Sequence, residues 1–339
     1  MKLILVTGGC GYIGSHTIAD LIENGYRVIS VDNYSRSNES VLLGIKKVTG
    51  ADVKNYKTDL CHFEDTRTIF EENPDISAII HFAAYKAVGE SVENPLLYYD
   101  NNLNSLINIL KCAVEFNVPH FVFSSSCTVY GTPDIIPVTE SEPIKPAESP
   151  YGNTKQMGED IVQHTLIAHK GIKAILLRYF NPVGAHPSLE MGEMPIGKPQ
   201  NLVPAITQTA IGKLAQMKVW GKDYNTKDGT CIRDYIHVCD IARAHTLALQ
   251  RLEKADHDTA CEIINLGSGT GYTVLEIIKT FEKVSGCTLN YVIAERRLGD
   301  VEAIYANNDK AKKDLNWETQ YNIEDMMRTA WEWEKKLNG

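Results

Sequence analysis

Lys2-Leu3-Ile4-Leu5-Val6-Thr7-Gly8-Gly9-Cys10-Gly11-Tyr12-Ile13-Gly14 opens the chain and decides its fold. Residues 2–7 form a short apolar run of strand length, and a glycine turn follows at once. Residues 15–24 read as a helix closed by Gly25, and residues 26–31 as a second strand that delivers Asp32. Strand, glycine turn, helix, strand and terminal acid together make the first βαβ unit of a dinucleotide-binding domain.

The physical demands of such a unit match the residue types. Gly8 lets the chain turn sharply out of the strand, and Gly11 lets backbone amides approach a pyrophosphate. Gly14 allows close packing of helix on strand, and the helix N-terminus offers partial positive charge. Asp32 can accept hydrogen bonds from a ribose diol and repels a 2′-phosphate, which favours NAD over NADP. Arg36 lies close behind it, so that preference is not exclusive. The glycine spacing also differs from the simple dehydrogenase pattern Gly-x-Gly-x-x-Gly.

A chain of 339 residues suits a large domain with a smaller companion. Hydrophobic residues at 43% and charged ones at 23% are ordinary for a soluble globular protein. A formal charge of −9 argues against a nucleic-acid partner, which needs a basic face. The eight cysteines include no Cys-x-x-Cys, as expected in a reducing compartment. The chain starts directly with a core strand, and no apolar run reaches the roughly 20 residues that span a bilayer. The expectation is a cytoplasmic protein with no membrane or nucleic-acid partner.

Further along, residues 53–60 read as a third strand ending near Asp59, and residues 76–84 as a buried strand ending in Phe82-Ala83-Ala84. A long helix is expected over 97–116, with Asn101 near its start, and a strand over 120–124. The hydroxyl run Ser124-Ser125-Ser126-Cys127-Thr128 follows that strand, where side chains face a ligand crevice. A loop over 132–150 leads into a helix over 151–169, then a strand over 173–180. Asn181-Pro182 breaks the alternation, and the glycine- and proline-bearing loop 184–200 marks the domain boundary. Beyond it come a helix over 201–215, a short strand at 218–221, a helix over 239–253 and a late strand at 263–266. The fold class is therefore α/β: a doubly wound, mostly parallel Rossmann sheet with a smaller C-terminal α/β domain. The division is residues 1–180 for NAD and 181–339 for the second domain, with a strand near 262–267 returning to the first sheet.

Tyr151 and Lys155 share one face of their helix, four residues apart, in the chain's only Tyr-x-x-x-Lys. A phenol with an ordinary pKa near 10 is a poor base at pH 7. A nearby ammonium, helped by a positive nicotinamide, would stabilise the phenolate. Ser126 can share the hydrogen bond to a substrate oxygen. No histidine or cysteine spacing suits a metal, so none is expected. The chain also lacks the Gly-x-Ser-x-Gly of a serine hydrolase and the Gly-Lys-Ser/Thr of a P-loop.

Together these motifs resemble the extended short-chain dehydrogenase/reductase superfamily. Longer segments narrow the resemblance: Lys-Ala-Val-Gly-Glu-Ser at 86–91, Tyr-Tyr-Asp-Asn-Asn at 98–102 and Ser-Ser-Ser-Cys-Thr-Val-Tyr-Gly at 124–131. Leu-Arg-Tyr-Phe-Asn-Pro-Val-Gly-Ala-His-Pro at 177–187 and Gly-Thr-Cys-Ile-Arg-Asp-Tyr-Ile-His-Val at 229–238 add to them. Over nearly its whole length the chain is similar to the UDP-glucose 4-epimerase (UDP-galactose 4-epimerase) family. That resemblance implies an isomerase of galactose metabolism that acts through a 4-keto sugar while tightly bound NAD is transiently reduced. It implies a homodimer built on the helices near 97–116 and 151–170.

It also implies a site. NAD would be surrounded by Gly8, Gly11, Tyr12, Ile13 and Gly14, and by Asp32, Asn33, Tyr34, Ser35, Arg36 and Ser37. Asp59, Leu60, Phe82, Ala83, Ala84, Tyr85, Lys86, Asn101 and Phe180 would complete that shell. Tyr151, Ser126 and Lys155 would be catalytic and touch the cofactor too. The UDP-sugar would meet Lys86, Ser126, Tyr151, Tyr179, Asn181, Asn201, Leu202, Trp220, Arg233, Arg297, Asp300 and Ile304. Arg233 and Arg297 suit a pyrophosphate, because guanidinium groups bind phosphate oxygens in pairs.

The chain departs from the family pattern at Cys127, where a small residue is usual, and at Phe82-Ala83-Ala84-Tyr85-Lys86. Ile304 stands where the family sets sugar-pocket width, and its intermediate bulk leaves activity on UDP-N-acetylhexosamines open. A nucleotide-sugar dehydratase would need an Asp-Glu pair where Cys127-Thr128 stands. A non-catalytic NAD-binding regulator would not need Ser126, Tyr151 and Lys155 together.

Overall fold

A computed structural model of the chain describes residues 1–254, 259–297 and 299–339. The N-terminal half alternates strand and helix: β1 (Leu3–Thr7), α1 (Tyr12–Glu23), β2 (Arg27–Val31), α2 (Ser40–Thr49), β3 (Lys54–Tyr56) and α3 (Phe63–Glu72). Then come β4 (Ile76–His81), α4 (Val88–Glu93), α5 (Pro95–Glu115), β5 (His120–Ser126), a 3₁₀ turn (Cys127–Tyr130), α6 (Pro150–Ala168) and β6 (Lys173–Tyr179). The rest comprises β7 (Asn181–Val183), α7 (Leu202–Ala210), β8 (Met217–Trp220), β9 (Ile232–His237), α8 (Val238–Leu252) and β10 (Cys261–Leu266). It closes with β11 (Gly271–Thr273), α9 (Val274–Ser285), β12 (Tyr291–Ala294), β13 (Ala303–Ile304), α10 (Asp309–Leu315) and α11 (Ile323–Asn338).

Seven strands form the main sheet in the order β10-β6-β5-β4-β1-β2-β3. Every pairing in it is parallel. All five residues of β1 are buried, as a strand covered by helices on both faces requires. The strand order reverses between β1 and β4, and this switch point opens the crevice in which doubly wound sheets bind ligands.

One face of the sheet is covered by Ile18 and Leu21 of α1, Ile241, Ala244 and Leu249 of α8, and Trp317. The other is covered by Ile69 and Phe70 of α3, Leu106, Ile109 and Leu110 of α5, and Val162 and Leu166 of α6. A separate core gathers Ile206, Val219, Ile277, Phe281, Met326 and Met327. Segments that follow Asn181 therefore serve both cores: α8 and β10 belong with the first sheet, while α7, α9 and α11 build the second.

Several boundaries differ from the sequence reading. Helix α1 begins at Tyr12, because Gly11 takes the extended N-cap conformation and Tyr12-Ile13-Gly14 form the first turn. The third strand ends at Tyr56, and Asp59 lies beyond it in a turn where its Oδ1 accepts from the Cys61 amide at 2.9 Å. Strand β4 stops at His81, so Phe82-Ala83-Ala84 belong to the following loop. The serine run instead lies within β5, where Ser124, Ser125 and Ser126 pair with Leu177, Arg178 and Tyr179. Asn181-Pro182 begins a short strand parallel to β9. The helix expected over 201–215 ends at Ala210. Helix α3 was not anticipated, although Phe63, Thr66, Ile69 and Phe70 are spaced for one buried face.

Candidate active site

The glycine turn is tied by its own backbone. Gly8 adopts φ +66°, and a Cβ there would stand 2.9 Å from the Ala83 nitrogen. A Cβ at Gly14 would strike the Gly8 carbonyl oxygen and come within 2.9 Å of the Gly9 Cα. Gly9, to which the sequence reading gave no part, is backed against the Ser30 hydroxyl and Ile18. The Gly11 amide donates to the Gly8 carbonyl at 3.0 Å, so the amides left for a phosphate are those of the α1 first turn.

Asp32 follows β2 and organises the neighbouring rim. Its carboxylate accepts from the Cys10 amide at 3.1 Å, the Tyr34 amide at 2.9 Å and the Ser37 hydroxyl at 2.7 Å. Arg36 is turned away to Glu90 at 2.6 Å and covers the Tyr85 ring, 4.8 Å from its centroid. An arginine held by a carboxylate is poorly placed for a 2′-phosphate, which adds to the preference for NAD.

At the far end of the crevice, each serine of β5 has a different partner. The Ser124 carbonyl accepts from Lys155 Nζ at 2.6 Å, and its hydroxyl bonds Tyr179 Oη. Ser125 donates to Glu159, a buried carboxylate clamped by Arg178 Nε and Nη2 at 2.8 and 2.5 Å. The Ser126 hydroxyl reaches the Tyr151 phenol and also caps the 3₁₀ turn, accepting from the Thr128 amide at 3.2 Å. Helix α6 starts at Pro150 with Ser149 as its N-cap, accepting from the Gly152 amide at 3.1 Å. That cap fixes Tyr151 and Lys155 one turn apart beside β5.

Burial, and next the neighbouring Tyr179, push the Tyr151 phenol well above its ordinary value, while the Ser126 hydrogen bond pulls the other way. The Lys155 ammonium lies on the Ser124 carbonyl, in keeping with the expectation that a second positive charge must join it to stabilise the phenolate. Burial lowers Lys155 to about 8, and Glu159 acts against that fall. The polypeptide alone thus keeps Tyr151 protonated, and phenolate character requires further positive charge in the crevice.

These features open on one cleft of about 570 Å³. That is a size suited to a large ligand. Its walls include Gly8, Gly11, Tyr12, Ile13, Gly14, Asp32, Asn33, Ser35, Arg36, Ser37, Asp59 and Leu60. Phe82, Ala83, Ala84, Tyr85, Lys86, Asn101, Ser126, Tyr151, Lys155, Tyr179, Phe180, Asn181 and Asn201 continue them. The residue types and the glycine cradle fit an NAD molecule along this trough.

Tyr34 is not on the cleft wall; its backbone takes φ +60° to reach Asp32, and its ring lies under Lys57. Leu202 packs into the C-terminal core, and Trp220 lies on β8 beneath Lys218. Arg233 and Arg297 converge on Asp300, at 3.7 and 2.8 Å, and none of the three is on the cleft wall. Arg233 nonetheless acts electrostatically on Cys127, which lines the cleft. Ile304 is buried with Cys127, Val129, Tyr130 and Phe180.

The sequence reading missed the segment from Gly192 to Ile196, together with Lys198 and Gln200, which forms a cleft wall. Glu193 ties it down, accepting from Lys86 Nζ and Asn201 Nδ2 at 3.2 Å each, while its carbonyl accepts from Trp333 Nε1 at 2.9 Å. The signal available was a loop dense in glycine and proline beside a crevice, which was read only as a domain boundary.

Comparison with known proteins agrees with this geometry. The chain is 48% identical over 337 residues to the UDP-glucose 4-epimerase of Bacillus subtilis, covering 99% of this chain and 98% of that one. The UDP-glucose 4-epimerase of Bifidobacterium longum, solved with NAD+ and UDP, superposes with a TM-score of 0.95 at 44% identity, covering 99% and 98%. A Stenotrophomonas maltophila UDP-glucose 4-epimerase holding NAD and a formylated UDP-arabinopyranose gives 0.95 at 40% identity, covering 100% and 99%. The NAD dependent epimerase/dehydratase family model matches residues 4–267, and with these relatives it shows that the chain belongs to that family.

Proposed function

We propose that this protein is an NAD-dependent isomerase that interconverts UDP-galactose and UDP-glucose at C4. The convergence of Ser126, Tyr151 and Lys155 on one cleft, with Lys155 one helical turn from Tyr151 and anchored on β5, carries this reading. Gly8, Gly11, the α1 first turn and Asp32 would hold the dinucleotide. NAD, when bound, supplies a reversible two-electron acceptor, so no net oxidation accumulates. Tyr151 takes the C4 hydroxyl proton and gives it back, and Ser126 shares the hydrogen bond to that oxygen. The Lys155 ammonium stabilises the phenolate through charge.

The nucleotide-sugar would lie on the other wall. Tyr179, Asn181 and Asn201 line it, and the cluster of Arg233, Arg297 and Asp300 would supply the pyrophosphate and ribose contacts. Leu202, Trp220 and Ile304 would frame the base and the sugar. In this reading residues 1–180 form the NAD domain and 181–339 chiefly the UDP-sugar domain.

A cytoplasmic role in galactose metabolism and a homodimer belong to the same proposal. Leu96 at 80% exposure, Leu97 at 43%, Met157 at 39% and Ile167 at 68% give the paired helices α5 and α6 an apolar outer surface that supports it. Among the described residues, no helix is long and apolar enough to cross a membrane.

The test is incubation of the purified protein with UDP-galactose and no added NAD, following UDP-glucose. Turnover supports the proposal, and the same assay with UDP-N-acetylgalactosamine measures pocket width. No product even with NAD supplied would refute it, and a 4-keto-6-deoxy product would reassign the reaction to a dehydratase.

A further inference from the structure

Beneath the Tyr151 and Lys155 pair lies a charged group that the chemistry above does not use. Glu159 is one turn beyond Lys155 on α6, and it is 4% exposed, Lys155 5% and Arg178 3%. Its two oxygens take the Arg178 fork, and Oε1 also accepts from the Ser125 hydroxyl. Arg178 lies in turn 4.7 Å from the centroid of the Tyr130 ring, whose hydroxyl donates to Asn265 Oδ1 at 2.7 Å. The group links α6, β5, β6 and β10 at the strand ends that form the crevice floor.

We propose that Glu159 is a positioning residue: its buried carboxylate supplies the negative charge that acts on the Lys155 ammonium and, through Ser125, fixes the strand end that presents Ser124 and Ser126. This inference rests on the proposed epimerase chemistry.

The surroundings of Lys155 leave Glu159 as its one source of counter-charge among the described groups identified there. From α6 itself come Tyr151 and Glu159. From β4 comes His81, which burial holds neutral at about 3 and whose Nδ1 bonds the Thr7 hydroxyl at 2.8 Å. Strand β5 offers the Phe123 ring, 5.0 Å from Nζ, and the Ser124 carbonyl. Strand β6 offers Tyr179, pushed up to about 12 by burial, and Arg178, already clamped by Glu159. Tyr98 of α5 and Cys127 approach Tyr151 and are neutral at pH 7, both raised by burial. Glu159 opposes the desolvation that lowers Lys155. Its loss should therefore let Lys155 discharge at a lower pH.

The direct test compares the parent with Glu159→Gln, which keeps a partner for Ser125 and Arg178 but removes the charge, and with Glu159→Asp, which keeps the charge. Two readouts are taken on the NAD-loaded protein. One is the pH dependence of epimerisation; the other is an NMR titration of the Lys155 Cε signal, assigned by its disappearance in Lys155→Met. Glu159→Gln should shift the alkaline midpoint of both down by about one pH unit, the lower end expected for loss of one nearby charge. Its activity at pH 7 should fall about twofold and recover towards pH 6, while Glu159→Asp stays near the parent.

A uniform loss of rate with both midpoints unchanged would overturn the inference and leave Glu159 a purely structural clamp. If Glu159→Gln does not fold because Arg178 is left unpaired, Glu159→Gln/Arg178→Met removes both charges. The same downward shift, smaller in size, is then expected, and its absence overturns the inference. An inactive parent would defeat the epimerase reading, whereas the Lys155 titration would still decide the role of Glu159.

Discussion

Lys155 Nζ lies 2.6 Å from the Ser124 carbonyl oxygen, so the cation of the Tyr-x-x-x-Lys pair is anchored on the same strand end that holds Ser126 against Tyr151. Strand β5 therefore positions both halves of the proton device. A shift of that strand end would move the cation and the serine hydroxyl together, and geometry at this end should matter more to rate than to NAD binding. Burial keeps Tyr151 protonated and holds Lys155 at about 8, so the phenol is poised for use only when charge gathers beside it.

Tyr151→Phe keeps the ring and removes the proton-transferring oxygen. Turnover of UDP-galactose should fall by about 10²- to 10⁴-fold. The NAD released on denaturation should match the parent, because the glycine cradle and Asp32 are untouched. Loss of bound NAD in parallel with activity would mean that Tyr151 acts in binding.

Gly14→Ala tests the cradle. The new methyl would strike the Gly8 carbonyl, and backbone cannot swing aside as a flexible side chain can. A cost of about 1–3 kcal/mol follows for forced overpacking, seen as a lowered Tm and weaker NAD retention. Gly171→Ala is the control, since no atom lies within 4 Å of a Cβ there. Equal effects of the two substitutions would refute the assignment of Gly14.

Four buried histidines predict acid lability. Burial lowers His16 and His245 to about 4 and His81 and His237 to about 3. A group whose folded pKa is depressed takes up protons more readily when unfolded, so stability is full above about 6.5 and is lost as pH falls towards the folded values. Each histidine should remove about 2 kcal/mol between pH 7 and 5. Asp234 and Asp240, raised to about 6 by burial, act in the opposite sense and offset part of the loss. Thermal unfolding at pH 7 and pH 5 reads the sum: Tm should be clearly lower at pH 5, and an unchanged or higher value would contradict this balance.

The first βαβ unit was legible because its periodicity and glycine spacing are local. The Rossmann sheet followed from buried apolar runs, and the returning strand at Cys261–Leu266 was visible as one more such run. What local reading could not supply was partnership at long range. Arg36 looked available until Glu90, far along the chain, was placed beside it. The Glu193 wall is held by Lys86 and Trp333 from opposite ends of the sequence, and no local pattern announces that. The size of the opposing effect at Tyr151 was hidden for the same reason: its hydroxyl is governed by burial and Tyr179, neither of which spacing reveals.

The most direct test of the central claim follows the hydrogen on C4. UDP-galactose carrying deuterium at C4 would be converted in ordinary water and the UDP-glucose product examined by NMR. Full retention of deuterium at C4 is predicted, because that hydrogen leaves and returns within the closed site while only the hydroxyl proton passes through Tyr151. Washout of deuterium into solvent would contradict the account, since it would mean that C4 is deprotonated as a carbon acid.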